Sequence, residues 1–264
     1  MKKPVTLYIL LLALSIGVLF LLNLFLGSVD IPFRSIWNIL WGMDEGESVI
    51  WQNIIWKSRV PQALTAMVAG AGLAVSGLQM QTVFRNPLAG PSVLGISSGA
   101  SLGVAFVVLL SGSIGGIALS RLGFMGEIAL TMAAIIGALS IMALIVYVSQ
   151  KVHGNVTLLI IGVMIGYVAN AVIGVLKFFS VEEDIRAYVI WGLGSFARVS
   201  GNQMMVFVCI MAVLLPLSFL LIKTLNLLLL GDAYARNLGL NIKRARLQVI
   251  ACSGLLVAIV TAYC

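Results

Sequence analysis

The sequence predicts an all-α, polytopic membrane helix bundle forming a single domain over residues 1–264, and three observations carry that reading. Of the 264 residues, 61% are hydrophobic and only 9% charged. A soluble domain carries about 25% charged residues, and the mean hydropathy here is +1.13. Seven apolar runs are long enough, or nearly so, to cross a bilayer as helices, which takes about 20 residues each. The remaining charges gather in the short segments between those runs.

In chain order the runs are 5–27, 62–83, 93–111, 128–149, 155–178, 202–222 and 247–264. Irregular backbone cannot face lipid, so each is expected to be helical. The first follows Met1-Lys2-Lys3 and is superficially like a secretory leader. It is too long for that and has no small-residue cleavage site, so it reads as a retained helix. Pro32–Leu40 is expected to form a short helix with Phe33, Ile36, Trp37 and Leu40 on one face. Phe84–Gly99 contains Pro87 and Pro91, which forbid a continuous helix and predict a bent loop. Ser97 and Ser98 follow, one turn into the next helix, where back-bonding to carbonyls is expected. Gly112–Gly126 is either a short helix or a loop dipping into the membrane. Glu182–Phe196 reads as an interfacial helix, with acids first and then Tyr188, Ile190 and Trp191. The last run stops at Cys264 without a flanking charge, so the chain is expected to be cut short. Cys209, Cys252 and Cys264 lie in apolar runs and read as small buried hydrophobes, not a disulfide or metal framework.

The polar segments orient the bundle. With the N-terminus inside, the inside cations are Lys2, Lys3, Arg85, Lys151, Lys223, Arg236, Lys243, Arg244 and Arg246. The outside cations are Arg34, Lys57, Arg59, Arg121, Lys177, Arg186 and Arg198. Asp30, Asp44, Glu45, Glu47, Glu127, Glu182, Glu183 and Asp184 fall outside and only Asp232 inside. All five tryptophans also lie in outer segments, where an aromatic belt would hold them. The N-terminus is therefore expected to be cytoplasmic. The net charge of +7 is that of a membrane topology and does not argue for a nucleic-acid partner.

The longest polar interruption is Gly231–Leu247. Asp232 is placed to cap a helix over Ala233–Leu238, and Gly239 sits where a left-handed C-terminal cap belongs. Asn241 can cap the following helix, which opens with Lys243, Arg244 and Arg246. Three cations there oppose the macrodipole at about 0.3–1 kcal/mol each, so another force must favour them; a cytoplasmic membrane surface is the first candidate.

Small residues recur at four-residue spacing. Ala66, Gly70 and Ala74 do so in the second run, Gly95, Gly99 and Gly103 in the third, and Gly162, Gly166, Asn170 and Gly174 in the fifth. Such stripes let backbones approach closely, within one subunit, at a subunit interface or along a pathway wall. Asn170 puts an amide near mid-membrane, where it either bonds another helix or faces a wet cavity. Arg59, just before Pro61, is either a snorkelling anchor or a docking point for an acidic partner outside the membrane. His153 stands alone in a loop and reads as solvated. No Gly-Lys dipeptide occurs, so there is no phosphate-binding loop. No H-E-x-x-H and no His, Cys and carboxylate cluster offers a metal. No catalytic or metal-ligating residue and no cofactor is therefore assigned to this chain.

Arg59–Gly103 (RVPQALTAMVAGAGLAVSGLQMQTVFRNPLAGPSVLGISSGASLG), Leu225–Leu247 (LNLLLLGDAYARNLGLNIKRARL) and the turn Trp191–Phe196 (WGLGSF) resemble the permease family of ABC importers for cobalamin, ferric siderophores and haem, the FecCD type. The match runs in the same order over most of the chain. The resemblance implies a ten-helix permease domain working as a homodimer in a bacterial cytoplasmic (inner) membrane. It implies a separate ATPase dimer inside, which would bind ATP and Mg, and a periplasmic or lipid-anchored substrate-binding protein outside. In that family the region matching Gly231–Gly239 is the coupling helix, so Gly231, Asp232, Ala235, Leu238 and Gly239 would contact the ATPase. The fifth run would line the pathway through Gly162, Gly166, Asn170 and Gly174, and Arg59 would meet a binding-protein carboxylate. Two departures stand out. Gln62 replaces a second arginine, and the family's C-terminal third, with its last helices, is missing, so seven helices are expected here of ten. An ion-coupled secondary transporter is the alternative, although the runs hold almost no carboxylates or cations for coupling. A non-transporting fragment is the other.

Overall fold

The computed structural model describes residues 5–43, 48–111, 124–152, 155–199 and 201–264, and among them the regular structure is entirely helical. Lys2, Lys3, Asp44, Glu45, Glu47, Arg121, His153 and most of the Gly112–Gly126 segment lie outside the described residues. In order the helices are α1 (Val5–Phe25), α2 (Phe33–Leu40), α3 (Val49–Ile54), α4 (Val60–Phe84), α5 (Ile96–Ser111) and α6 (Phe124–Lys151). Then come α7 (Asn155–Phe178), α8 (Glu182–Gly192), α9 (Gly201–Phe219), α10 (Ile222–Leu229), α11 (Asp232–Asn237) and α12 (Ile242–Tyr263). Six of the seven expected runs give helices long and apolar enough to span a membrane. The run 93–111 gives only the 16-residue α5, about 24 Å at 1.5 Å per residue. Its first residues are held in a turn that ends at Gly95, whose φ is +72°.

The second run starts earlier than its apolar residues suggest. Val49–Phe84 is one 36-residue helix, and Pro61 lies inside it. A π-helical segment at Ile55–Arg59 precedes the proline. Proline has no N–H and crowds the carbonyl four residues back, and a locally widened turn relieves both problems.

The chain forms two compact units. The first comprises Met1–Met67 and Ser195–Val206. Its core is Ile31, Ile36, Ile39 and Ile55, with Phe25, Trp51 and Val60 packed around it. α2 divides its apolar residues between two faces, contrary to the single face expected. Ile36 and Ile39 are buried, while Phe33 and Trp37 are exposed. Those two continue a ladder of rings with Phe25 and Trp41, with centroids 4.7–6.4 Å apart.

The second unit comprises Val68–Gly194 and Phe207–Cys264, and its core lies where α5, α6 and α12 pack together. α5 and α6 meet through glycines. A Cβ on Gly103 would overlap the Ala133 carbonyl, and one on Gly137 would overlap the Gly99 carbonyl. Only small residues permit that approach, which substitutes for the missing hydrophobic drive between helices in lipid. α4 and α12 are joined by polar contacts instead: Ser76 Oγ and Ser253 Oγ lie 2.6 Å apart, and Gln79 Nε2 donates to Cys252 Sγ at 3.7 Å. Ser97 bonds Thr261 of α12 at 3.4 Å, not a carbonyl of its own helix. The stripe Ala66, Gly70, Ala74 is not the packing face of α4, because Gly70 has open space around it. Gly72 takes that role, facing Met211 and Val260.

Candidate functional site

α11 is short because both its ends are specified by backbone geometry. Gly231 has φ +106° and ψ 151°, a region open essentially to glycine alone. It occupies the cap position, so Asp232 is the first helical residue and makes no side-chain cap. That corrects the expected capping role of Asp232 and moves the helix one residue earlier, to Asp232–Asn237. The far end matches expectation. Gly239 has φ +86°, its N–H donates to the Arg236 carbonyl and the Leu240 N–H to the Ala235 carbonyl, both at 2.9 Å. This is the Schellman pattern. Asn241 then caps α12, its Oδ1 accepting from the Arg244 N–H at 3.2 Å.

The Asp232 carboxylate is held between two guanidinium groups, Arg85 on Oδ1 and Arg246 on Oδ2, each at 2.5 Å. The same Arg85 nitrogen donates to the Leu228 carbonyl at 3.2 Å. One carboxylate thus joins the end of α4, the end of α10, the start of α11 and the first turns of α12. An acid in the first turn also suits the helix dipole. Arg246 therefore does not depend on a lipid surface for its counter-charge. Arg85 has φ +48°, the left-handed region for a non-glycine residue among the described residues. It closes α4 as Gly239 closes α11: its N–H donates to the Thr82 carbonyl at 3.4 Å and the Asn86 N–H to the Gln81 carbonyl at 3.2 Å, the same Schellman pattern.

The remaining residues of α11 sort by exposure. Ala235 is fully buried and anchors the helix, whereas Leu238 is 62% and Tyr234 70% exposed. Tyr234 and Leu238 are four residues apart and share a face, so α11 presents an aliphatic and an aromatic side chain outward. Sequence reasoning missed Tyr234, Arg85 and the pairing of Arg246. An aromatic residue inside a polar loop was the available signal for the first.

The fifth-run stripe, on α7, divides in two. Gly162 and Gly166 are packed: a Cβ on Gly162 would lie 3.0 Å from Leu94 Cα, and one on Gly166 would lie 3.4 Å from Ser98 Oγ. Asn170 is exposed and Gly174 has open space around it. Each four-residue step advances about 40° around an α-helix, so a stripe of four residues cannot remain on one packing face. Beside it, Leu102, Ile141, Leu144, Met164 and Val168 line an apolar groove of about 320 Å³.

Arg59 is 5% exposed and turned inward. Its guanidinium donates to the carbonyls of Leu24 at 2.6 Å and Phe25 at 3.2 Å, and to that of Val29. These lie at and just beyond the end of α1, where carbonyls lack helical partners and the dipole is negative. Gly27 leaves room for it; a Cβ there would lie 2.7 Å from the guanidinium. In this structure Arg59 is neither a snorkelling anchor nor a charge presented outward for docking, which corrects both expectations. Among the described residues, no group of three or more His, Cys, Asp or Glu could hold a metal ion.

The model of the FecCD transport family matches residues 12–264. The chain belongs to that family. FecCD relatives with assigned roles include the hemin transport system permease protein HmuU of Yersinia pestis. It is 35% identical over 233 residues, covering 88% of this chain and 66% of the relative. The vitamin B12 import system permease protein BtuC of Serratia proteamaculans is 35% identical over 253 residues, covering 96% and 69%. This FecCD chain thus spans about two thirds of the length of these relatives. A solved structure of a metal-chelate type ABC transporter in an inward-facing conformation superposes with a TM-score of 0.77 at 28% identity, covering 99% of this chain and 76% of that one.

Proposed function

We propose that this chain is a membrane permease subunit of an ATP-driven importer for a bulky iron chelate, haem or a corrinoid, and that it works as a homodimer. Membership of the FecCD family and the named roles of its relatives support this reading. The observation that carries it is α11: a six-residue helix fixed at both ends by positive-φ glycines, tied down by Asp232 and exposing Tyr234 and Leu238. Such a rigid projecting knob suits a cleft in another protein. In this reading Gly231, Asp232, Ala235, Leu238 and Gly239 form the seat of an ATPase dimer, which binds the ATP and Mg. α11 then faces the cytoplasm, the N-terminus lies on the same side of a bacterial inner membrane, and a substrate-binding protein delivers from the other. Asn170 and Gly174, on the open side of α7, face the pathway or the second copy. Alternating access follows when closure of the nucleotide sites displaces α11.

Co-purification tests the seat. The wild-type chain should retain its ATPase through size-exclusion chromatography, and Leu238→Asp should lower retention at least tenfold without changing its membrane yield. Equal retention by both would refute the assignment.

A further inference from the structure

Arg85 does more than neutralise Asp232. It heads the segment from Arg85 to Gly95, which joins α4 to α5, and that segment is stiff. Asn86 Oδ1 accepts from the Leu88 N–H at 2.9 Å, Gln81 Nε2 donates to the Pro87 carbonyl at 3.1 Å, and the Ala89 N–H donates to the Asn86 carbonyl at 3.0 Å. Ala89 and Leu94 are each 1% exposed. The segment ends at Gly95, pressed on α7: a Cβ there would lie 3.0 Å from the Gly162 carbonyl oxygen and 3.1 Å from the Gly166 nitrogen. An unbroken set of contacts therefore runs from α11 through Asp232, Arg85 and the 85–95 segment to the backbone of α7. At the Gly95 end backbone packs on backbone, with no side chain to absorb a shift, so displacement of the segment is passed directly to α7.

We propose that Arg85 and the 85–95 segment form a transmission arm that carries movement of α11 to α7, with Asp232, Arg85 and Gly95 as its positioning residues. Arg85 is suited to that task. Its left-handed backbone closes α4 and opens the segment, while its guanidinium holds Asp232 and the Leu228 carbonyl, so a displaced Asp232 pulls at the point where helix and segment meet. The second partner of Asp232, Arg246, lies on α12 and serves as the internal comparison, because its link does not run through this segment. The functional meaning of the arm rests on α11 being the ATPase seat, but its existence is measurable in this chain alone.

Hydrogen exchange read by mass spectrometry, on the full chain in lipid nanodiscs, tests it. Arg85→Gln should speed exchange at least tenfold in both the 85–95 segment and residues 156–166 of α7. Arg246→Gln should loosen α11 and the start of α12 while leaving residues 156–166 at the wild-type rate. Gly95→Ala should speed residues 156–166 without changing α11. The double variant Arg85→Gln/Gly95→Ala should be no faster in α7 than the faster single variant. The proposal is overturned if Arg85→Gln leaves α7 at the wild-type rate, if Arg246→Gln affects α7 as strongly, or if the double variant is additive. Such a result would leave the ATPase-seat reading standing, since retention of the ATPase is measured separately.

Discussion

Arg59 and Arg85 both serve carbonyls at helix ends, yet the molecule uses them in opposite ways. Arg59 is almost wholly buried and spends its guanidinium on backbone oxygens of and beyond α1. Arg85 is 41% exposed at its side chain and shares an equally open carboxylate with Arg246. A buried cation with fixed backbone acceptors holds one arrangement, because leaving it unpaired is expensive. A half-exposed ion pair is screened by water and can exchange partners at little cost. The first arrangement suits an anchor and the second a joint. The joint lies at the start of α11, the proposed ATPase seat.

Substitutions at Arg59 and at Asp232 separate the two roles. The largest effect is expected at the anchor. Arg59→Met should lower the stability of the chain in bicelles by about 2–4 kcal/mol, since hydrogen bonds to a charged group are worth about 1.5–3 kcal/mol each. Arg59→Lys should restore only a minor part of it, because one ammonium cannot reproduce the guanidinium's spread of donors. A denaturation midpoint unchanged by Arg59→Met would remove the anchor role. A much smaller effect is expected at the joint. Asp232→Asn should shift the same midpoint by less than about 1 kcal/mol, and 1 M salt should narrow even that difference by screening. A loss as large as that of Arg59→Met would mean that Asp232 is an anchor as well.

How much of this was legible in the sequence depends on the distance over which each feature is decided. The spanning helices were readable because lipid imposes apolar runs on each segment alone. The caps at Gly239 and Asn241 were readable because a cap is settled within a few residues. Asp232 was misplaced by one position, and the reason is instructive. A capping acid and a first-turn acid look alike in sequence; here Gly231 takes the cap position, and the partner the acid turns to instead, Arg85, is 147 residues away. Arg59 was misread for the same reason, since its partners lie 30–35 residues upstream. The stripe on α7 was visible, but its division into a packed half and an open half follows from helical drift and from which neighbour reaches it. The π-helical turn before Pro61 left no mark in composition at all.

The proposed role of α11, as the element through which ATP hydrolysis reaches the permease, is tested by Gly239→Trp. The left-handed φ of Gly239 is strained for any side chain, at about 1–2 kcal/mol, and open space surrounds it. The substitution should therefore distort the end of α11 and leave the rest of the fold in place. With the ATPase and binding-protein partners reconstituted in liposomes, the expected outcome is normal membrane insertion, uptake reduced at least tenfold and an ATPase rate that no longer responds to substrate-loaded binding protein. Uptake and ATPase stimulation both at wild-type levels would contradict it.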